Sequence, residues 1–228
     1  MRGWIRQGII RCTTLGVRRA AGQLLRELRL QRVSRLGRRR AKRYALARDL
    51  RLHIGCGTNR KPGWVNIDLL EPCELQLDLR EDMPFKDEVA AMVYAEHFLE
   101  HLLHPIDSMH FLRECLRVLK PGGVIRIVVP DSEWPLRAYV SNDDEYFRMA
   151  REKWHVRSDC RTRLDHVNLH FREGGHHLYA YDYETLADVL STAGFTDIGK
   201  DEYDPGLDTA ERRVGSLYVV ARRPDCTP

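Results

Sequence analysis

Residues 50–68, LRLHIGCGTNRKPGWVNID, constrain the chain more than any other stretch. Leu50, Leu52 and Ile54 alternate as a strand does, and Gly55 and Gly57 follow at once, so the backbone can turn sharply and approach a ligand closely. A second apolar run then ends on Asp68. A carboxylate at a strand tip beside a glycine turn suits the two adjacent hydroxyls of a ribose, because it is an anionic acceptor. The spacing also excludes a dinucleotide fingerprint, which needs GxGxxG and an acid about 20 residues further on. Here Arg60 stands at the third glycine position and Asp68 lies 11 residues after Gly57. No full helix fits between the two strands, so no helix N-terminus is offered to a pyrophosphate. A nucleoside ligand without a pyrophosphate is favoured over NAD.

The remaining pattern alternates strands with helices. Glu74–Leu79, which carries Asp78, and Val89–Tyr94 read as the third and fourth strands. Pro105 suits the first turn of a helix whose apolar face is Ile106, Met109, Leu112, Leu116 and Leu119, and Lys120-Pro121-Gly122-Gly123 stops it. Residues 124–129, VIRIVV, read as a buried central strand ending at Pro130-Asp131. Phe195–Tyr203 and Val214–Arg222 read as the last strands, after a helix with Asp182 as N-cap and Gly194 at its end. The expected fold is α/β and Rossmann-like: a mostly parallel sheet with an antiparallel last strand, helices on both faces, and a shortened first crossover.

Charge divides the chain. Residues 1–50 hold 15 Lys and Arg against 2 Asp and Glu, whereas the rest holds 22 against 31. The expected organisation is a basic amphipathic arm, 1–48, ahead of one domain, 49–228, with an acceptor-side insertion at 131–181. Val17, Ala21, Leu24, Leu25, Leu28 and Leu36 share a helical face with arginines between them. That face can pack on its own domain or a partner, or lie on an anionic membrane with Trp4, Ile5, Ile9 and Ile10 as anchors. RNA binding is the third reading, less suited because base-stacking aromatics are not interleaved. Arg38–Arg40, Lys42 and Arg43 read as a flexible linker. The six cysteines form no CxxC pair, which points to a reducing compartment. No run approaches the length of a membrane span, so the expected location is cytoplasmic, peripheral to an inner membrane through the arm.

Four segments taken together, LHIGCGTN (52–59), LDLREDMPF (77–85), EHFLEHL (96–102) after its strand, and RVLKPGGVIRIVVPD (117–131), resemble class I S-adenosylmethionine-dependent methyltransferases. The nearest likeness is to a bacterial branch associated with surface polysaccharide synthesis. The resemblance implies S-adenosylmethionine as cofactor and methyl transfer to a polar acceptor, a sugar or glycolipid hydroxyl. RNA methylation or a catalytically silent subunit are the rivals. It implies that Gly55 and Gly57 line the methionine moiety, that Asp68 holds the ribose and Asp78 faces the adenine, and that Glu96 and His97 lie near the reacting methyl. His53, Cys56 and Asn59 count among the cofactor-binding residues, and Asn59, Arg60 or Lys61 are candidates to meet the cofactor carboxylate.

Two further readings concern chemistry. His97-Phe98-Leu99-Glu100-His101 is a literal HxxEH, the inverted zinc-peptidase signature. That signature needs a long helix around it and a third protein ligand. Because Pro105 follows closely, no metal is expected and His101 reads as a residue fixing the loop. Within 131–181, Trp134, Tyr139, Tyr146, Trp154, His155, Asp165, His166, His170, His176 and His177 supply the aromatics and polar groups of an acceptor pocket. His177 is the expected catalytic base and Asp131 the second candidate.

Overall fold

A computed structural model describes residues 13–154 and 160–225. Trp4, Ile5, Ile9, Ile10 and His155 lie outside the described residues. Seven strands form one sheet: β1 (Leu50–Ile54), β2 (Val65–Asp68), β3 (Leu75–Gln76), β4 (Ala90–Glu96), β5 (Leu119–Pro130), β6 (Thr196–Lys200) and β7 (Ser216–Arg222). Their order is β3-β2-β1-β4-β5-β7-β6. The first five run parallel, and β7 pairs antiparallel with both β5 and β6. The third strand is thus only two residues long, and the fifth begins five residues earlier than its β-branched run suggests. Lys120-Pro121-Gly122-Gly123 does not interrupt β5; it forms an irregularity in the pairing with β4 between Ala90 and Met92.

Side-chain alternation gives the sheet two unlike faces. Leu52, Ile54, Val93, Ala95, Ile125, Ile127 and Val219 belong to one apolar core with Phe111, Leu112, Leu186 and Leu190. The last four come from α2 (Ile106–Val118) and α6 (Tyr183–Ala193). Each such large side chain, fully buried, contributes about 1.5–3 kcal/mol. The buried face of α2 centres on Phe111, Leu112 and Cys115, while Ile106 is exposed. Asp182 caps α6 by accepting from the Thr185 amide at 2.8 Å, and Gly194 ends it with φ of 105°.

The opposite face carries His53, Asn66, Tyr94, Arg126 and Tyr218. Right-handed crossovers put the β1–β2 and β4–β5 connections on opposite sides. The β1–β2 connection, 55–64, contains no helix. Trp64 from that loop, with Tyr203 and Leu207 from the β6–β7 connection, packs on Tyr94, Val128 and Tyr218 instead. Arg126 donates to Asp208 at 2.6 Å and to the Glu202 carbonyl at 2.7 Å, and Tyr94 donates to Asp208 at 3.0 Å. A polar network therefore pins the β6–β7 connection where a crossover helix would otherwise lie.

Helix α1 spans Leu15–Ala41 and runs on into a 3-10 turn, Lys42–Tyr44. Arg38–Arg43 are therefore helical, not a flexible linker. Its buried residues are Ser34, Gly37 and Ala41, a stripe of small side chains against β3. A Cβ on Gly37 would stand 1.9 Å from the Gln76 carbonyl oxygen, so the helix backbone touches the strand. Ser34 Oγ meets the Asp78 amide at 3.2 Å. The leucine stripe that the periodicity picks out, Leu24, Leu25, Leu28 and Leu36, remains exposed.

The described residues of 131–181 form α3 (Glu133–Val140), α4 (Asp144–Lys153) and α5 (Arg163–Arg172). Tyr146, Phe147 and Ala150 of α4 form a small separate core with Ala138, Trp134 and Trp154. A single bridge between Asp131 and Tyr181 closes the insertion at its base.

Candidate active site

The glycine turn is built by two different necessities. Gly55 and Gly57 both have positive φ, 63° and 49°. A Cβ on Gly55 would lie 2.8 Å from the Phe98 ring, whereas one on Gly57 would meet nothing within 4 Å. Gly57 is thus the open position of the turn. Its amide donates to Asp68 Oδ2 at 2.8 Å, and the Leu70 amide donates to Oδ1 at 2.9 Å. One amide per oxygen orients the half-buried carboxylate and leaves each oxygen a lone pair, so the residues fit a vicinal diol.

Other expected cofactor contacts are placed differently. His53 is buried on the second face, Nδ1 at 2.9 Å from Asn66 Oδ1 and its ring against Tyr94, and burial lowers its pKa to about 4. Its side chain is a core residue and offers no surface to a ligand. Cys56 is buried too, and burial pushes its thiol up to about 12; only its backbone borders the turn. Asn59 donates to Thr209 Oγ1 at 2.7 Å, Arg60 pairs with Glu74, and Lys61 donates to the Leu207 carbonyl. The Asp78 carboxylate turns to Arg80 at 2.7 Å, and Arg80 continues to Glu27 of α1 at 2.7 Å.

Glu96 ends β4 and is buried. It accepts from the Thr209 amide at 2.9 Å and from the Thr209 hydroxyl, with Arg212 3.7 Å away. Its carboxylate thus holds the β6–β7 connection. Next to it His97 has φ of 50°, and its Nε2 lies 2.8 Å from Ser216 Oγ. Ser216 gives its own proton to the Arg212 carbonyl at 2.7 Å, so His97 Nε2 is the donor and Nδ1 carries the lone pair. Burial lowers the His97 pKa to about 3.

The HxxEH motif is a three-residue 3-10 turn, Leu99–His101, directly after the strand, so the long helix of the peptidase signature is absent. Glu100 is 2% exposed in its side chain, neither oxygen has a hydrogen-bond partner, and burial pushes its carboxyl up to about 8. The Leu178 amide donates to the Glu100 carbonyl at 2.8 Å, which draws the end of the insertion over this turn.

There a cavity of about 620 Å³ opens at the carboxyl ends of β4 and β5. His97, Tyr146, Trp154, His170, His177 and Arg212 are among its lining residues. His177 Nδ1 donates to the His170 carbonyl at 2.8 Å and its Nε2 lies 3.1 Å from Glu173 Oε2. His170 Nε2 is buried without a partner, and burial lowers its pKa to about 4. Asp131 instead accepts from the Glu133 amide at 3.0 Å at the foot of the insertion, and burial raises its pKa. Sequence reasoning missed Arg212 and Glu173. Neither sits in a motif, and each reaches the cavity only through the fold of a loop.

Residues 52–127 match the family described as methyltransferase domain. No curated protein matches the chain in sequence. Among solved structures, a methyltransferase from Thermotoga maritima, described as a possible histamine N-methyltransferase, is 16% identical with a TM-score of 0.47, covering 90% of this chain and 97% of that one. A methyltransferase from Methanosarcina mazei is 18% identical with a TM-score of 0.48, covering 81% and 96%. The Burkholderia thailandensis 1,6-didemethyltoxoflavin N1-methyltransferase, which holds S-adenosylhomocysteine, is 15% identical with a TM-score of 0.46, covering 86% and 79%. Residues 52–127, about a third of the chain, are thus similar in sequence to a methyltransferase domain.

Proposed function

We propose that the chain transfers a methyl group from S-adenosylmethionine to a hydroxyl of a sugar or glycolipid. The observation that carries the acceptor reading is the cavity, whose wall combines the rings of Tyr146 and Trp154 with His170, His177, Glu173 and Arg212. Aromatic surface with a few polar groups suits a polar ring. When bound, the cofactor supplies an electrophilic methyl on a sulfonium. Gly57 leaves room for it, Asp68 accepts from its ribose hydroxyls, and Arg212 beside Glu96 is suited to a carboxylate. The aromatic wall orients the acceptor and excludes water from the transfer. The His177 and Glu173 pair, 3.1 Å apart, takes the hydroxyl proton. Asp131 does not line the cavity, and the second base assignment has no such support.

The membrane reading of the arm is supported by Leu24, Leu25 and Leu28, exposed among arginines. Among the described residues no helix is long and apolar enough to cross a membrane; the reading is of attachment through α1 to a membrane surface from the cytoplasmic side. The test offers methyl-labelled cofactor with glycolipid, nucleotide-sugar and RNA pools. Label in a glycan-bearing fraction is expected. Label confined to RNA overturns the acceptor reading, and flotation with neutral but not anionic vesicles overturns the role of the arm.

A further inference from the structure

We propose that Glu100, His101 and His177 form a binding site for a divalent transition-metal ion of the zinc class. One ligand atom from each lies within 4.8 Å of the other two. Glu100 and His101 are neighbours in sequence, and His177 joins them because the 176–179 segment crosses the turn after β4, with the Leu178 and Tyr179 amides both directed at the Glu100 carbonyl.

Hydrogen bonding fixes which atoms face inward. His101 Nδ1 lies 3.0 Å from the His176 carbonyl, and His177 Nδ1 lies 2.8 Å from the His170 carbonyl. A carbonyl only accepts, so both Nδ1 atoms carry hydrogen and in the neutral ring each Nε2 holds the lone pair; that of His177 faces Glu173 Oε2 at 3.1 Å, a contact that an ion would replace. Metal-ligating imidazoles are held in this manner, with the second nitrogen donating to a carbonyl or carboxylate. His97 is in the same condition: its Nε2 is spent on Ser216, and its Nδ1 lone pair lies 3.6 Å from Glu100 Oε1. Glu100 itself has a side chain 2% exposed, and neither oxygen has a hydrogen-bond partner. One nitrogen of each of His101 and His177 and a Glu100 oxygen thus lie within 4.8 Å of one another, an arrangement that a cation completes as it displaces the Glu100 carboxyl proton.

Two imidazoles and one carboxylate are donors suited to zinc and its neighbours, not to calcium or magnesium, which prefer oxygen. Zinc bonds of about 2.0–2.2 Å set tetrahedral ligand atoms about 3.4 Å apart, so side-chain rotation must draw the three atoms together, and the sheet need not move. His101 is 38% exposed in its side chain, which gives an ion a way in, and His177 borders the cavity. Three protein ligands leave a position open, as in catalytic rather than structural zinc sites. The ion's role, though not its binding, rests on the reading above and narrows it: with His177 as a ligand, Glu173 alone would take the proton of the hydroxyl that the ion polarises, the methyl carbon leaving sulfur as it bonds to oxygen.

The full chain, stripped with chelator, is titrated with Zn²⁺ by calorimetry and its metal content measured after dialysis. One ion per chain is expected, with affinity falling at least about 100-fold in His101→Ala and in His177→Ala. Co²⁺ in place of zinc should give visible absorption bands that both variants lose. His110→Ala, on α2, should bind as the wild type does. Because His101 is at the surface, its variant keeps the test sound if Glu100→Gln fails to fold. No stoichiometric uptake by the folded wild type overturns the site, as does unchanged affinity in both histidine variants. Cofactor binding, measured separately, reports on the methyltransferase reading, so either can fail alone.

Discussion

Arg126→Met tests how the second face of the sheet is held. Arg126 is 4% exposed and Asp208 fully buried in its side chain. The guanidinium reaches both oxygens of Asp208, at 2.6 and 3.3 Å, and lies over the Tyr218 ring at 5.3 Å. Methionine keeps much of the apolar stem and removes the charge. Asp208 then retains only Tyr94 at 3.0 Å and the Asp204 amide at 2.7 Å for a carboxylate with no water around it. Breaking a buried pair from one side costs about 3–5 kcal/mol, because the remaining charge is left uncompensated. Urea unfolding followed by circular dichroism measures the loss, and Trp64 fluorescence follows the same face. Asp208→Asn in the Arg126→Met background should recover part of that cost, with a coupling of about 2 kcal/mol in the double-mutant cycle. A loss under about 1 kcal/mol for Arg126→Met, or additivity in the cycle, would refute the argument that this pair pins the β6–β7 connection.

Gly37→Ala should destabilise by about 1–3 kcal/mol, since its Cβ meets the Gln76 carbonyl oxygen, and should expose residues 15–45 to limited proteolysis. Gly22→Ala, with nothing within 4 Å, should instead stabilise the helix by about 0.5–1 kcal/mol; equal melting shifts for the two would contradict the packing of α1 on β3. Burial lowers the His53 pKa from 6.5 to about 4, so between these values the unfolded chain binds the extra proton and stability rises with pH. The contribution amounts to about 3 kcal/mol, lost as pH falls from 6.5 to 4. Denaturation at a series of pH values should show a slope that His53→Gln reduces, and an unchanged slope would sink the assignment.

Much of the sheet was legible because strand alternation and capping are local. Leu52 and Ile54, the VIRIVV run and the Asp182 cap all stand as their residues suggest. The N-terminal helix was legible but its docking face was not, for a physical reason. Periodicity weighs apolar side chains, yet α1 docks through Ser34, Gly37 and Ala41, whose small size lets backbone meet strand. The short β1–β2 link was legible, but not its substitute, since the β6–β7 connection lies more than 140 residues away along the chain, as the Lys61 to Leu207 contact shows. The same holds for the histidine cluster. HxxEH reads as a helical motif on spacing alone, and only the tertiary fold sets His177 beside Glu100 and His101.

The central claim is that the Gly55–Gly57 turn and Asp68 form the S-adenosylmethionine pocket. Calorimetric titration of the folded chain with S-adenosylmethionine and S-adenosylhomocysteine, repeated on Asp68→Ala, tests it directly. Asp68 Oδ2 already holds the Gly57 amide at 2.8 Å, so the variant loses both the ribose acceptor and the brace of the turn. The account predicts one site per wild-type chain and affinity reduced at least about tenfold in the variant, the loss of charge-assisted hydrogen bonds. A folded wild type that binds neither compound, or a variant that binds both as tightly, would contradict it.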